Sequence, residues 1–389
     1  MNILKKIKYW ALLILVFLLA RQVVFEKITP DSALYHGLAL NIIDGTGYVD
    51  NIRNDEILPT IGHPIILTFF KLIGDDTGEI FGKTIFVLIL LFTFLIIEKL
   101  KINIFVNYLI LYLVYNFIGV TSYFAVELSI ALSVVLFWFG LINFLIEKDT
   151  KSSMLFSVLL FVGLLIRPVL MPLSYLYILV SIIMFFMSKK YFKISFYGIL
   201  LLVVLIFSTK AISNIKYGDS RLISGTYSEI PLYCAFNDYI DLERKYSSVS
   251  WRNLPENIQE EAVAPLLRNG ENWQIRAKQL KSKVIDFIKL KPKKALDGYL
   301  WRLSKYTITS LNEIYKYLFY SFICIGLFAL LTKRFYNYIA YLIVPIVLYS
   351  VFIQSVFPFA AVRYYLFPGL NLLFGILVLF ASIRNKIKI

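Results

Sequence analysis

Apolar runs about 20 residues long recur along most of this chain, and that length lets an α-helix cross the hydrocarbon core of a bilayer. "IFVLILLFTFLII" (85–97), "ILLLVVLIF" (199–207) and "LNLLFGILVLFASI" (370–383) are the most apolar parts of three such runs. Backbone amides in lipid must satisfy one another, so a chain of this kind has only two outcomes, helices or a closed barrel. Barrel strands are short and alternate apolar with polar residues, and these runs do neither. Of 389 residues, 59% are hydrophobic and 17% charged, where a soluble domain has about a quarter charged. The expectation is an all-α polytopic membrane protein.

About ten spans can be read. They lie near 8–25, 80–97, 102–119, 123–146, 153–170, 172–187, 194–212, 312–331, 336–354 and 361–382. Lys5, Lys6 and Lys8 precede the first span, and Lys99 and Lys101 follow the second. Lys148 and Lys151 follow the fourth, and Lys189, Lys190 and Lys193 the sixth. Lys333 and Arg334 follow the eighth, and Arg384, Lys386 and Lys388 the tenth. With ten spans, all of these cations fall on one side. The excess of Lys and Arg in cytoplasmic loops makes that side the cytoplasm. Both termini are then cytoplasmic, in a plasma-membrane protein. The net charge of +15 is explained by orientation, and no nucleic-acid partner is expected.

The first run lacks an A-x-A-like cleavage site and reads as a retained helix. Cys234 and Cys324 show no metal-ligand spacing, and no disulfide between them is expected. Three regions follow: a transmembrane catalytic half (1–212) with a first outer loop (26–79), an outer helical region (213–311), and C-terminal transmembrane helices (312–389). The outer region carries Lys281, Lys283, Lys289, Lys291, Lys293 and Lys294. These form either a solvated basic face or a surface that attracts anionic lipid head groups.

The first outer loop reads "TPDSALYHGLALNIIDGTGYVDN" (29–51). Pro30-Asp31 opens a helix, with Asp31 suited to accept from its first free N–H groups. Leu34, Leu38 and Ile42 recur at helical spacing beside Tyr35 and predict an amphipathic helix lying in the interface plane. Gly45 and Gly47 end it. Pro64 suits the first turn of a second interfacial helix, which runs to Gly74.

A span, then D-S-x-x-Y, a helix, G-x-G-Y and an H-P helix opener together resemble the first extracytoplasmic loop of the GT-C membrane glycosyltransferases, in their protein O-mannosyltransferase and aminoarabinose transferase branch. Asp31, Tyr35, Ala39, Asn41, Gly45, Gly47, Tyr48 and Pro64 carry the likeness over about residues 1–75. His63 stands where those enzymes often have Arg. Glu127 in "SYFAVELSIAL", Arg167-Pro168 in "LLIRPVLMP", and Arg363, Tyr364 or Tyr365 and Pro368 in "FAAVRYYLFPGLNLL" extend it more weakly.

The resemblance implies a bundle with two interfacial helices over an outward-facing cavity. It also implies inverting transfer of a sugar from a polyprenyl-phosphate donor to a glycan, lipid or protein acceptor. Such transfer needs a base for the acceptor proton, cations for the departing phosphate and an apolar groove for the lipid tail. Asp31 is the expected base and Glu127 the second acidic candidate. Arg363, Arg167, Arg302 and His63 are candidates for the phosphate, with Tyr35 and Tyr365 lining the substrate site. Arg167 falls about 14 residues into its span, roughly 21 Å across at 1.5 Å per residue, and its alternative role is a snorkelling side chain. No cofactor or metal is demanded, since the first loop has no D-x-D pair. A divalent ion shared by Asp31 and Glu127 is the metal-dependent variant.

Three rivals compete with this reading. A lipid flippase or other transporter tends to place ionisable groups at the midplane within inverted repeats, whereas here they gather near one face. A polyprenyl-linked glycan polymerase or ligase tends to use Arg and His of later outer loops. A membrane-anchored binding protein does not need ten spans.

Overall fold

The computed structural model describes residues 11, 14–15, 18, 30–48, 60–75, 79–102, 107–108, 110–115, 125–187, 189–218, 221–224, 232–233, 235–237, 273–307, 313–331, 337–356 and 366–384. Among them there is no strand, and thirteen α-helices can be bounded. These are α1 (Pro30–Ile43), α2 (Gly62–Leu72), α3 (Glu79–Lys99), α4 (Ala125–Glu147), α5 (Thr150–Ile166), α6 (Met171–Met187), α7 (Lys189–Tyr217), α8 (Arg221–Ser224), α9 (Trp273–Leu290), α10 (Pro292–Thr307), α11 (Glu313–Leu331), α12 (Asn337–Val356) and α13 (Leu366–Ile383). Four of them are long and apolar enough to cross a bilayer, those spanning Glu79–Lys99, Leu128–Glu147, Lys193–Tyr217 and Glu313–Leu331. They mark the chain as a membrane protein. The expected first span lies almost wholly outside the described residues, and the third is described only in part.

Helix α4 is enclosed by its neighbours, whereas α7 and α11 expose most of their surface. Their exposed residues are large and apolar, among them Leu200, Val204 and Phe207 on α7 and Leu327 and Phe328 on α11. That pattern suits a hydrocarbon surround. Helix α7, at 29 residues, is about 43 Å long, more than the roughly 30 Å of a bilayer core. Its C-terminal end therefore has length to reach beyond the apolar layer.

Helix ends follow local chemistry. Asp149 and Ser152 form a reciprocal capping box that starts α5 immediately after α4, which leaves two orphan N–H groups satisfied. Asp75 Oδ2 accepts from the backbone N–H of Phe81 at 2.7 Å and caps α3. Pro168 disfavours helical geometry at the residue before it, and Arg167 is extended, with φ −147° and ψ 116°. Helix α5 accordingly stops at Ile166, and a short 3-10 turn (Pro168–Leu170) leads into α6. This corrects the expected span of 153–170: Arg167 is the C-cap residue beyond the helix, not a residue inside it.

Small residues let the helices approach closely, as is usual within membranes. Gly140 of α4 packs on Phe156 of α5, and Gly198 of α7 on Ser153. Trp138 Nε1 donates to Asn371 Oδ1 at 2.9 Å in the core and joins α4 to α13. Lys99 and Glu147, at the C-terminal ends of α3 and α4, form an ion pair. Those two packed helices are therefore parallel. At the opposite end of the bundle lie the N-termini of α3 and α4, the C-termini of α5 and α7, and the small helices α1, α2 and α8.

Candidate functional site

The site is built where α1 and α2 seat on that end of the bundle. Gly45 (φ +73°) and Gly47 (φ +97°) adopt left-handed conformations, open to glycine without steric cost. Their N–H groups return to Ile42 and Asn41 carbonyls and close α1. The stripe of Leu34, Leu38 and Ile42 faces the protein, packing with Tyr48, Ile61, Tyr217 and Leu222. Tyr35 and Ala39 belong to a second buried face that joins the main core. The helix is thus clamped on two sides, leaving Leu40 and Ile43 exposed. Helix α2 does divide its faces: Leu67 and Phe70 point inward, while Ile65, Phe69 (61% exposed) and Leu72 form an outward apolar row.

The start of α2 is pinned against the end of α5. Thr60 Oγ1 donates to the Ile166 carbonyl at 2.9 Å, and the Ile61 N–H donates to the Leu222 carbonyl. Gly62 approaches so closely that a Cβ there would lie 2.6 Å from the Leu165 carbonyl carbon and oxygen. This contact sets His63, the next residue, into the interior. Its Nδ1 lies 2.6 Å from Ser129 Oγ of α4. Its ring meets those of Tyr35 (centroids 4.5 Å apart) and Phe81 (5.2 Å), both edge to face.

His63 is 4% exposed, and burial lowers its pKa from 6.5 to about 3, helped by the positive charges of Arg167 and His36. The imidazole is therefore neutral at physiological pH. It can accept or donate a hydrogen bond, but it supplies no charge to a phosphate. His36, half-buried on α1, is also shifted down, by desolvation first and then by Lys71, with Asp75 opposing. Arg167, half-buried at the adjoining end of α5, is a cation whose charge acts on His63.

Residues 35, 63 and 167 thus come together although they are far apart in sequence. Ser129 was missed by sequence reasoning; its only signal was its place two residues after Glu127. The helix bounds include Pro30, so Asp31 lies within the first turn of α1 and not at its cap. It sits one helical turn before Tyr35. Glu127 lies in the first turn of α4, two residues from Ser129. The side chains of Asp31 and Glu127 lie outside what is described, as do Arg363, Tyr364 and Tyr365 altogether.

Arg302 is engaged in a different way. It is 2% exposed, donates from Nη1 to the Ala235 carbonyl at 3.0 Å and lies 4.9 Å over the Phe236 ring. These contacts hold the 235–236 segment against α10. Among the described residues no group of three His, Cys, Asp or Glu is placed to hold a metal ion. No family model, curated protein or solved structure matches this chain.

Proposed function

We propose that this protein is a polytopic glycosyltransferase that moves a sugar from a polyprenyl-phosphate donor to an acceptor at the outer face of the plasma membrane. The observation that carries the reading is the convergence of Tyr35, His63 and Arg167 at one end of the bundle. These are three residues that the likeness to GT-C enzymes assigns to one site. The first turns of α1 and α4, carrying Asp31 and Glu127, lie at the same end.

In this reading the acceptor oxygen attacks the anomeric carbon and the Asp31 carboxylate takes its proton. The bond from that carbon to the phosphate oxygen breaks, and its electron pair leaves with polyprenyl phosphate. Arg167 offsets the charge on the departing phosphate, as a guanidinium does well because its donors form a fixed fork. The neutral His63 positions Ser129 and Tyr35 and does not bind the anion. Arg363 joins the phosphate site from the last span, and inversion follows from single displacement. Ten spans, cytoplasmic termini and acceptor choice by residues 213–311 complete the proposal. The outward row on α2 and the exposed apolar surface of α7 supply lipid-compatible walls for a polyprenyl tail.

The test is sugar transfer from a panel of polyprenyl-phosphate sugars to water and candidate acceptors, comparing wild type with Asp31→Asn. Transfer that collapses in the variant while donor binding persists supports the reading. Full transfer by Asp31→Asn refutes Asp31 as base. No transfer with any donor, combined with lipid movement across liposomes, replaces the reading with a flippase.

A further inference from the structure

Helices α9 and α10 follow one another with only Lys291 between them, and their exposed surface mixes cations with large apolar groups. Between residues 278 and 294 the chain has seven lysines and one acidic residue, Asp286. Leu280, Val284 and Phe287 of α9 and Ala295 of α10 are buried, so each helix already has a packed face. The other face of α9 carries Lys278, Lys281, Ile285, Ile288 and Lys289, all exposed. At about 100° per residue these five fall on one side of the helix. Lys293, Leu296 and Leu300 do the same on α10. Leu290, the last residue of α9, is 79% exposed. Lys278, Lys281, Lys283, Lys289 and Lys293 make no ion pair among the described residues.

The place of α10 in the bundle identifies what this surface meets. Tyr299 of α10 donates to the Phe352 carbonyl, one turn before α12 ends at Val356. Tyr349, on the same part of α12, donates to the Val169 carbonyl beside the end of α5. This part of α10 therefore lies at the level where α5 and α12 end, which in a membrane is the head-group layer, and α9 adjoins it through Lys291. A surface of lysine and leucine at that depth suits a lipid interface: aliphatic groups enter the acyl boundary and lysines reach the phosphates. A soluble acidic partner would leave Ile285, Ile288, Leu290, Leu296 and Leu300 without an apolar counterpart.

We propose that the exposed face of α9–α10 is a docking surface for anionic phospholipid head groups of the leaflet in which this end of the bundle sits. Each lysine near such a surface strengthens attachment about fivefold, the equivalent of about 1 kcal/mol. This inference does not depend on the glycosyltransferase reading.

The test is hydrogen exchange across 273–300 in the full-length protein, held in nanodiscs of phosphatidylcholine alone or with phosphatidylglycerol added. Exchange across α9 is expected to slow about fivefold or more with the anionic lipid, and the protection to fade in high salt. K278Q/K281Q/K289Q/K293Q should lose the lipid response while α12 and α13 exchange as in wild type. Equal exchange in the two lipids overturns the proposal. So does a variant that keeps the full response, or protection by inorganic phosphate in phosphatidylcholine discs matching that of the anionic lipid. If the variant does not fold, the wild-type lipid comparison alone decides.

Discussion

Gly62→Ala is the most direct test of how the site is held. The new Cβ would sit 2.6 Å from the carbonyl carbon and oxygen of Leu165 and 2.7 Å from the Ile166 nitrogen. Ordinary contact begins at 3.4 Å, so α2 and α5 must part by about 0.8 Å. The obstacle is backbone, so no rotamer change relieves it. Overpacking of this kind costs about 1–3 kcal/mol. A shift of that size also carries the 2.9 Å bond from Thr60 to Ile166 out of good range, a further loss of about 1 kcal/mol. The expected destabilisation is about 2–4 kcal/mol, with loss of the proposed transfer activity because His63 moves with α2. Gly163→Ala is the matched control. Its Cβ meets Leu170 Cδ1 at 2.6 Å, the end of a side chain that can swing aside, and Ala recovers helix propensity of up to about 1 kcal/mol. Unfolding of both variants in detergent, by heat and by denaturant titration, makes the comparison. Gly62→Ala as stable and active as wild type would refute the close packing of α2 on α5.

Three further outcomes are expected. His63 has a folded-state pKa of about 3 against 6.5 when unfolded, so the unfolded chain takes the proton first as pH falls. Its contribution is complete above pH 6.5 and declines by about 1.4 kcal/mol per unit below it, about 2 kcal/mol by pH 5. His63→Gln should flatten that slope in pH-dependent unfolding, and an unchanged slope would show that another group is responsible. Trp138→Phe removes the donor to Asn371 and should cost about 1–2 kcal/mol, measured by thermal unfolding, while Trp138 replaced in an Asn371→Leu background should cost less. Arg302→Lys keeps the charge but loses the planar fork over Phe236; hydrogen exchange at 232–237 should rise about tenfold, with smaller change in α3 and α4.

Some of this molecule is legible without coordinates. Apolar run length predicts helices at 80–97, 172–187 and 312–331, and α3, α6 and α11 lie there within about two residues. Gly45, Gly47 and Gly74 end α1 and α2 as their positions suggest, because each has positive φ. Arg167 shows the limit. Hydropathy carries the fifth span to about residue 170, but Pro168 ends the helix at Ile166, four residues earlier, and that moves the guanidinium from a helix face to the turn that follows. The α1 stripe shows another. Periodicity states that Leu34, Leu38 and Ile42 share a face, but the protein and the bilayer are both apolar, so periodicity cannot say which of them the face meets.

Chain length, apolar run length and turn residues by themselves determined that this protein is helical, membrane-associated and closed by glycine and proline at the ends of its small helices. These are local consequences of backbone hydrogen bonding in lipid and of φ preference. Only the tertiary structure decided that His63 is buried and neutral against Ser129, that Arg302 clasps the 235–236 backbone, and that α10 meets α12 near its end. Each depends on groups tens to hundreds of residues apart in the chain, and distance in space, which sets desolvation, charge coupling and contact, is not encoded in any window of neighbouring residues.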